Sequence, residues 1–236
     1  MQRRSFIKLC TAFAAGIAAR PQLLAAAEGP VQERQRVRLV DVAGRPLIPD
    51  NLEVGRNYLF HYPYRGTPCF LIRLPFDTVK AGIELKTEDG TSYRWRGGVG
   101  EGGQVVAFSA ICSHLMTHPT KKIAFIHHYH GKASGLAGRT DVIACCAHGS
   151  VFDPAAGGKV IAGPAPQPLT AILLEQDEAG VIHAVGTQGA DFYHQFLRTF
   201  KRELRKEFGR GVADDPVEGD ARVRALDRYS RKIIDC

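Results

Sequence analysis

Two short stretches concentrate the side chains able to bind a metal. In "ICSHLMTHP" one residue separates Cys112 from His114, and in "CCAHGS" two residues separate Cys145 from His148. Cys-x-His followed by Cys-x-x-His offers two thiolates and two imidazoles. That donor set suits a structural zinc in a Cys2His2 site. It also suits a 2Fe-2S cluster in which two histidines replace two cysteines on one iron. In the second case charge explains the chemistry. Two ferric ions, two sulfides and four thiolates make a dianion, whereas two neutral imidazoles in place of two thiolates leave the oxidised cluster uncharged. An electron enters a neutral cluster more readily, so the potential rises to about −150 to +300 mV from about −400 mV. Imidazoles at the outer iron can also lose a proton, which links electron uptake to proton uptake.

The surroundings separate the two metals. After the second histidine the chain reads "HGSVFDPAAGGKVIAGPAPQPL". With C-x-H upstream, C-x-x-H-G-S, F-D-P-x-x-G and a later proline loop, the chain resembles the Rieske iron–sulfur proteins over residues 104–174. The resemblance implies a 2Fe-2S cofactor held by Cys112, His114, Cys145 and His148. It gives Cys112 and Cys145 the buried iron and the histidines the outer one, with Leu115 and the 163–166 loop shielding the cluster. Ser150 stands where family members have a hydroxyl donating to a bridging sulfide. Of the adjacent Cys145 and Cys146, the resemblance, which needs two residues before the histidine, implies Cys145; Cys146 is expected to be a small buried apolar residue. Members from cytochrome bc complexes carry a further cysteine in each box, joined as a disulfide. Thr117 and Ala147 occupy those positions here, so no such bridge can form. Phe152 replaces a tyrosine whose hydroxyl donates to a ligand cysteine in high-potential members. Fewer donors stabilise the reduced cluster less, which implies a mid-range potential.

Loops need a scaffold. From residue 37 onward, short β-branched or aromatic runs ("RVRLVDV", "CFLIRLP", "QVVAFSAI", "DVIACC", "LTAILLEQ", "VIHAVGT") alternate with turn formers such as "PDN", "EDG" and "GEGG". The expected fold is all-β, a Rieske-type antiparallel sandwich or barrel with a small cluster-binding subdomain and a C-terminal helical extension. Residues 118–141 hold His118, His127, His128 and His130 and read as a polar, solvated insertion. Trp95 is expected to pack in the core or at its rim. After residue 189, Phe192, Phe196, Phe200, Leu204 and Phe208 recur every fourth residue, forming one apolar stripe flanked by Arg198, Lys201, Arg202, Arg205 and Lys206. Gly209 is a natural stop. The stripe requires cover by this domain, by a partner subunit or by an anionic membrane surface touching the 191–208 helix.

The first residues, "MQRRSFIKLC", resemble a twin-arginine export signal, followed by an apolar run from Leu9 to Ala19 and by Ala25, Ala26 and Ala27. That run is about half the ~20 residues a bilayer span requires. The division expected is a signal over 1–27, a β domain over 28–189 and a basic helical extension over 190–236, in a periplasmic protein. The net charge of +7 falls partly in the first twenty residues and partly in the C-terminal helix, which argues against nucleic acid as a partner. Cys10 and Cys236 lie at the two ends and suggest no compact disulfide framework; Cys69 pairs with nothing by spacing. The segments "TPCFLIRLP", "VVAFSAICSH" and "FDPAAGGKVIAGPAPQPL" are most similar to the small subunit of arsenite oxidase. That likeness implies one-electron relay, without substrate chemistry of its own, between a larger molybdopterin-containing catalytic subunit and a carrier such as cytochrome c. The alternative is the Rieske subunit of a quinol-oxidising bc complex. A Rieske oxygenase needs a large iron-binding domain after the cluster, for which the chain beyond residue 174 is too short.

Overall fold

The computed structural model describes residues 30–236; the export signal expected over 1–27 lies outside them. Fourteen strands are described, and each of the six β-branched or aromatic runs quoted above falls on one of them. The main sheet has eight: β1 (Val31–Val40), β2 (Tyr58–His61), β3 (Pro68–Arg73), β6 (Val105–Ser109), β11 (Ala171–Gln176), β12 (Ile182–Gln188), β13 (Asp220–Arg222) and β14 (Arg224–Ala225). Their order, β13-β1-β12-β11-β6-β3-β2-β14, curls into a nearly closed barrel-like sheet. All its pairings are antiparallel except β1 with β13, where Arg38 lies opposite Asp220 and forms an ion pair with it at 2.9 Å.

Strands β3 and β6 are buried on both faces, which is why each reads as a continuous apolar run and not as an alternation. Leu71 and Ala107 face the barrel interior with Val37, Phe60 and Ile172. Phe70 and Phe108, paired across the two strands, face the opposite way. There they meet a second layer: the sheet β10 (Lys159–Ala162), β9 (Ser150–Asp153), β8 (Val142–Cys145), β7 (Ile126–Tyr129), and the hairpin of β4 (Glu84–Lys86) with β5 (Ser92–Arg94). Trp95 is buried in this core with its ring centroid 6.0 Å from that of Phe108, as expected. The smaller sheet carries one of the two metal-binding stretches.

Strand β7 corrects the expectation of a solvated insertion. Its four residues, His127 and His128 among them, are all buried. Neutral imidazoles tolerate burial when backbone groups serve their nitrogens. His127 Nε2 lies 3.2 Å from the Ile234 carbonyl and its ring stacks on Tyr129 at 4.2 Å. His128 Nδ1 lies 3.2 Å from the Gly55 carbonyl. The strand was hidden in the sequence because two adjacent histidines, which read as polar, form its centre.

The C-terminal segment is woven into the barrel. Strands β13 and β14 form both edges of the main sheet. The apolar stripe forms two short helices, α1 (Tyr193–Thr199) and α2 (Lys201–Phe208), broken at Phe200, and Gly209 ends the second at φ +100°. Tyr193, Phe196, Leu197 and Leu204 are buried against Ile111 and Ala213, with Met116 alongside. The stripe therefore packs largely against this domain itself, and Arg198, Lys201, Arg202, Arg205 and Lys206 on the other face are exposed. Beyond the turn α3 (Leu226–Tyr229), the last residues run beside β7: the Ala124 amide donates to Lys232, and the Ile234 amide donates to Ala124.

A disulfide joins Cys146 to Cys236, correcting two expectations: Cys146 is no inert apolar residue, and the terminal cysteine is not a bystander. It spans 90 residues of sequence, a loop whose closure stabilises by about 4–5 kcal/mol on a chain-entropy argument. The sequence showed no partner because only the folded tail brings the two residues together.

Burial lowers the pKa of His128 from 6.5 to about 4, against a smaller opposing effect of the Gly55 carbonyl. The unfolded chain thus binds a proton that the folded chain refuses between these values, so stability falls as pH drops from 6.5 to 4 and then levels. The expected loss is on the order of 3 kcal/mol. Urea unfolding midpoints across that interval should show it, and His128→Leu should flatten the slope; an unchanged slope would contradict the burial argument.

Candidate metal centre

Both metal-binding stretches are loops at one end of the second core. The first follows β6. The Cys112 amide donates to the Thr117 carbonyl at 2.8 Å and the Met116 amide to the Cys112 carbonyl at 2.9 Å, closing a turn that places Met116 at φ +55°. The His118 ring, wedged edge-on between Phe196 and Phe200 at 4.8 and 4.7 Å, anchors the loop's far side to α1. The second stretch is the four-residue turn joining β8 to β9. Cys145 pairs with Ser150, and the Gly149 amide donates to the Cys145 carbonyl at 2.9 Å. Gly149 sits at φ +80°, a conformation that suits glycine.

The proline loop locks the two together. Ser113 Oγ donates to the Gln167 carbonyl at 2.7 Å, tying that loop to the first stretch. At its other end Gly163 lies against the second: a Cβ on Gly163 would stand 2.2 Å from the Gly149 carbonyl oxygen. Of the two expected shields, Leu115 is 55% exposed beside His114, and Ala165 is buried in the core.

The four candidate ligands meet as two like pairs. Cys112 and Cys145 are buried, at 1% and 0% exposure, and their thiols touch. The His114 and His148 rings lie edge to face with centroids 5.1 Å apart, and His148 is exposed. In the metal-free pair, the bond from Cys112 does most to hold Cys145 below its ordinary thiol value. Amides of Ala147 and His148 and the Thr117 hydroxyl help, against burial. Cys112 is correspondingly pushed up, first by that same bond and then by burial. One thiolate is thus stabilised within a lattice of donors made for anionic sulfur.

Two orphaned atoms suit a cluster. His114 Nδ1 and Ser150 Oγ are buried with no hydrogen-bond partner, a cost of about 1–3 kcal/mol each unless a bound group satisfies them. No three His, Cys, Asp or Glu side chains among the described residues converge on one point as ligands of a single ion would. A zinc needs all four ligands around one centre, whereas a 2Fe-2S cluster takes two at each iron. Like paired with like fits the second arrangement.

The sequence model of the Rieske [2Fe-2S] domain family matches residues 81–184, from just before β4 into β12. Those residues are a Rieske [2Fe-2S] domain. Such a domain binds a 2Fe-2S cluster, and the chain transfers electrons one at a time. Among solved structures, the chain is similar to the soluble domain of Rieske protein II from Sulfolobus acidocaldarius, at 27% identity over 65% of this chain and 78% of that one (TM-score 0.45). It is also similar to the ferredoxin of carbazole 1,9a-dioxygenase from Nocardioides aromaticivorans IC177, at 19% identity over 64% and 96% of the two chains (TM-score 0.35).

Two residues near the Rieske centre were not read as functional in the sequence. Thr117 was noticed only as the place of an absent cysteine, yet its side chain is near enough to the Cys145 sulfur to favour the thiolate. Cys236 carried no signal beyond being a cysteine. Phe152, buried in the core, has no hydroxyl to offer, as its side chain implied.

Hydrogen bonds to a ligand sulfur stabilise the reduced, more negative cluster. Thr117→Val should therefore lower the reduction potential without reducing cluster content, as protein-film voltammetry and iron analysis would show; an unchanged potential would remove Thr117 from that role. Gly163→Ala should drive the two ligand-bearing loops apart and cut iron and acid-labile sulfide per chain at least several-fold. Full cluster content in that variant would show that the contact with Gly149 yields.

Proposed function

We propose that this chain is the electron-relay subunit of an exported oxidoreductase, of the kind represented by the arsenite oxidase small subunit. It takes electrons from a larger, molybdopterin-containing subunit and passes them to a periplasmic carrier such as cytochrome c. The observation that carries the reading is the pairing of two buried thiols with two imidazoles, half-buried His114 and exposed His148. Cys112 and Cys145 would hold the inner iron and His114 and His148 the outer one. Held there, a 2Fe-2S cluster would supply one-electron redox chemistry.

The chain's own residues divide the work. The donors around Cys145 favour its thiolate in a buried setting, and the buried Ser150 hydroxyl has no hydrogen-bond partner. The exposed His148 edge is where a partner's redox group can come closest. The basic sequence at the N-terminus, with its twin-arginine pattern, supports export to the periplasm. The Cys146–Cys236 disulfide supports the same reading, because such bonds persist in oxidising compartments. Against the quinol-oxidising alternative stand Phe152, which lacks a hydroxyl, and Thr117 and Ala147, which cannot bridge the loops. No helix among the described residues is long and apolar enough to cross a membrane.

His148→Ala should abolish the Rieske-type EPR signal of the reduced protein; a surviving signal would remove His148 from the ligand set. The tagged full chain, isolated with its native partner, should bring down a molybdopterin subunit. Recovery of a b-type haem subunit instead would favour the quinol-oxidising complex.

A further inference from the structure

The two ligand-bearing loops are supported unequally. The first is closed by two backbone bonds, tied to the proline loop through Ser113 and wedged through His118 against α1. The second is a turn of four residues with exposed Ala147 and His148 at its tip. Gly163 abuts it on one side. On the other side stands the chain's C-terminus. Cys146, the first residue of the turn, donates its amide to Phe125 at 2.6 Å and is disulfide-bonded to Cys236.

The tail keeps its place by other means as well. Its Ile234 amide donates to Ala124, its Cys236 amide donates to the Tyr129 hydroxyl at 2.8 Å, and its Cys236 carbonyl accepts from the Gly135 amide at 2.7 Å. The disulfide therefore ties an anchored tail to a turn whose other holds are its own Gly149–Cys145 bond, the Cys146–Phe125 bond and the contact with Gly163. Resting on the ligand assignment proposed above, we propose that Cys236, through Cys146, is a positioning residue for His148. It clamps the turn so that the imidazole edge stays in register with His114. The bond lies one residue from a candidate ligand and joins that ligand's loop to the tail, not to the other loop. Cys146 and Cys236 are both half-buried residues, so the bond is not sealed inside the core. Dithiothreitol would pass two electrons and two protons to it, giving two thiols and its own cyclic disulfide.

The test uses the full chain with its cluster loaded: wild type, Cys236→Ser, Cys146→Ser, and Arg38→Ala as a control that weakens the remote β1–β13 edge. Cluster loss is followed by visible absorbance, ligand geometry by the EPR of the reduced protein and the fold by circular dichroism. The serine variants should keep the native dichroism, lose the cluster at least tenfold faster than wild type and broaden the EPR signal. Wild type treated with dithiothreitol should behave like them, and Cys236→Ser should not respond to it. Wild-type rates and spectra in the serine variants overturn the clamp. So does cluster loss that merely tracks unfolding, as in Arg38→Ala. Should the serine variants fail to fold, dithiothreitol-treated wild type, folded beforehand, decides by the same readouts. A wild-type chain lacking the Rieske-type signal overturns the ligand assignment and the clamp together, whereas a normal wild-type signal with no effect of opening the bond overturns the clamp alone.

Discussion

The whole arrangement depends on bringing two thiols from separate loops into contact inside a dry core. Buried anionic sulfur is expensive unless donors surround it. The chain meets that requirement with backbone: amides of His114, Ala147 and His148 turn toward the sulfurs because both loops fold back on themselves. The imidazoles sit further out, where neutral ligands carry no comparable cost. The inner-sulfur, outer-nitrogen polarity of the site thus follows from what each donor costs to bury.

Holding the loops together is a task spread over three parts of the chain. The main sheet supplies a base through Phe70 and Phe108, which close the core beneath the site. The proline loop ties one stretch to the other through Ser113 and Gly163. The C-terminal segment braces both from outside, α1 behind the first and the tail behind the second. Helices α1 and α2 and the tail lie beyond the residues matched by the Rieske family, so this bracing is added to the shared domain.

Histidine burial shows a second consequence of the same packing. His118, His127 and His128 are all shifted toward the neutral form by desolvation. They act as flat, polar-edged core residues that join β7, the tail and α1 to the loops. Their count in the insertion invites a second metal site; their neighbours are backbone carbonyls, aromatic rings and, for His127, the Asp235 carboxylate at 3.4 Å.

Much of this was legible in the residues themselves. The spacing of Cys112, His114, Cys145 and His148 marked two thiolates and two imidazoles, and the resemblance carried by the glycine, serine and proline signals after them pointed to a 2Fe-2S cluster, because spacing and turn chemistry are local properties. The β-rich architecture followed from short apolar runs between turns, and the helical stripe from its period. What the sequence could not decide depended on distant partners. Strand β7 looked polar because a buried imidazole is recognisable only once its accepting carbonyls are in place. Strands β13 and β14 are too short to show a pattern and exist only as edges of a sheet built elsewhere. Cys146 and Cys236 are separated along the chain by the entire course of the C-terminal segment, and only its path back to β7 brings the two sulfurs within bonding reach.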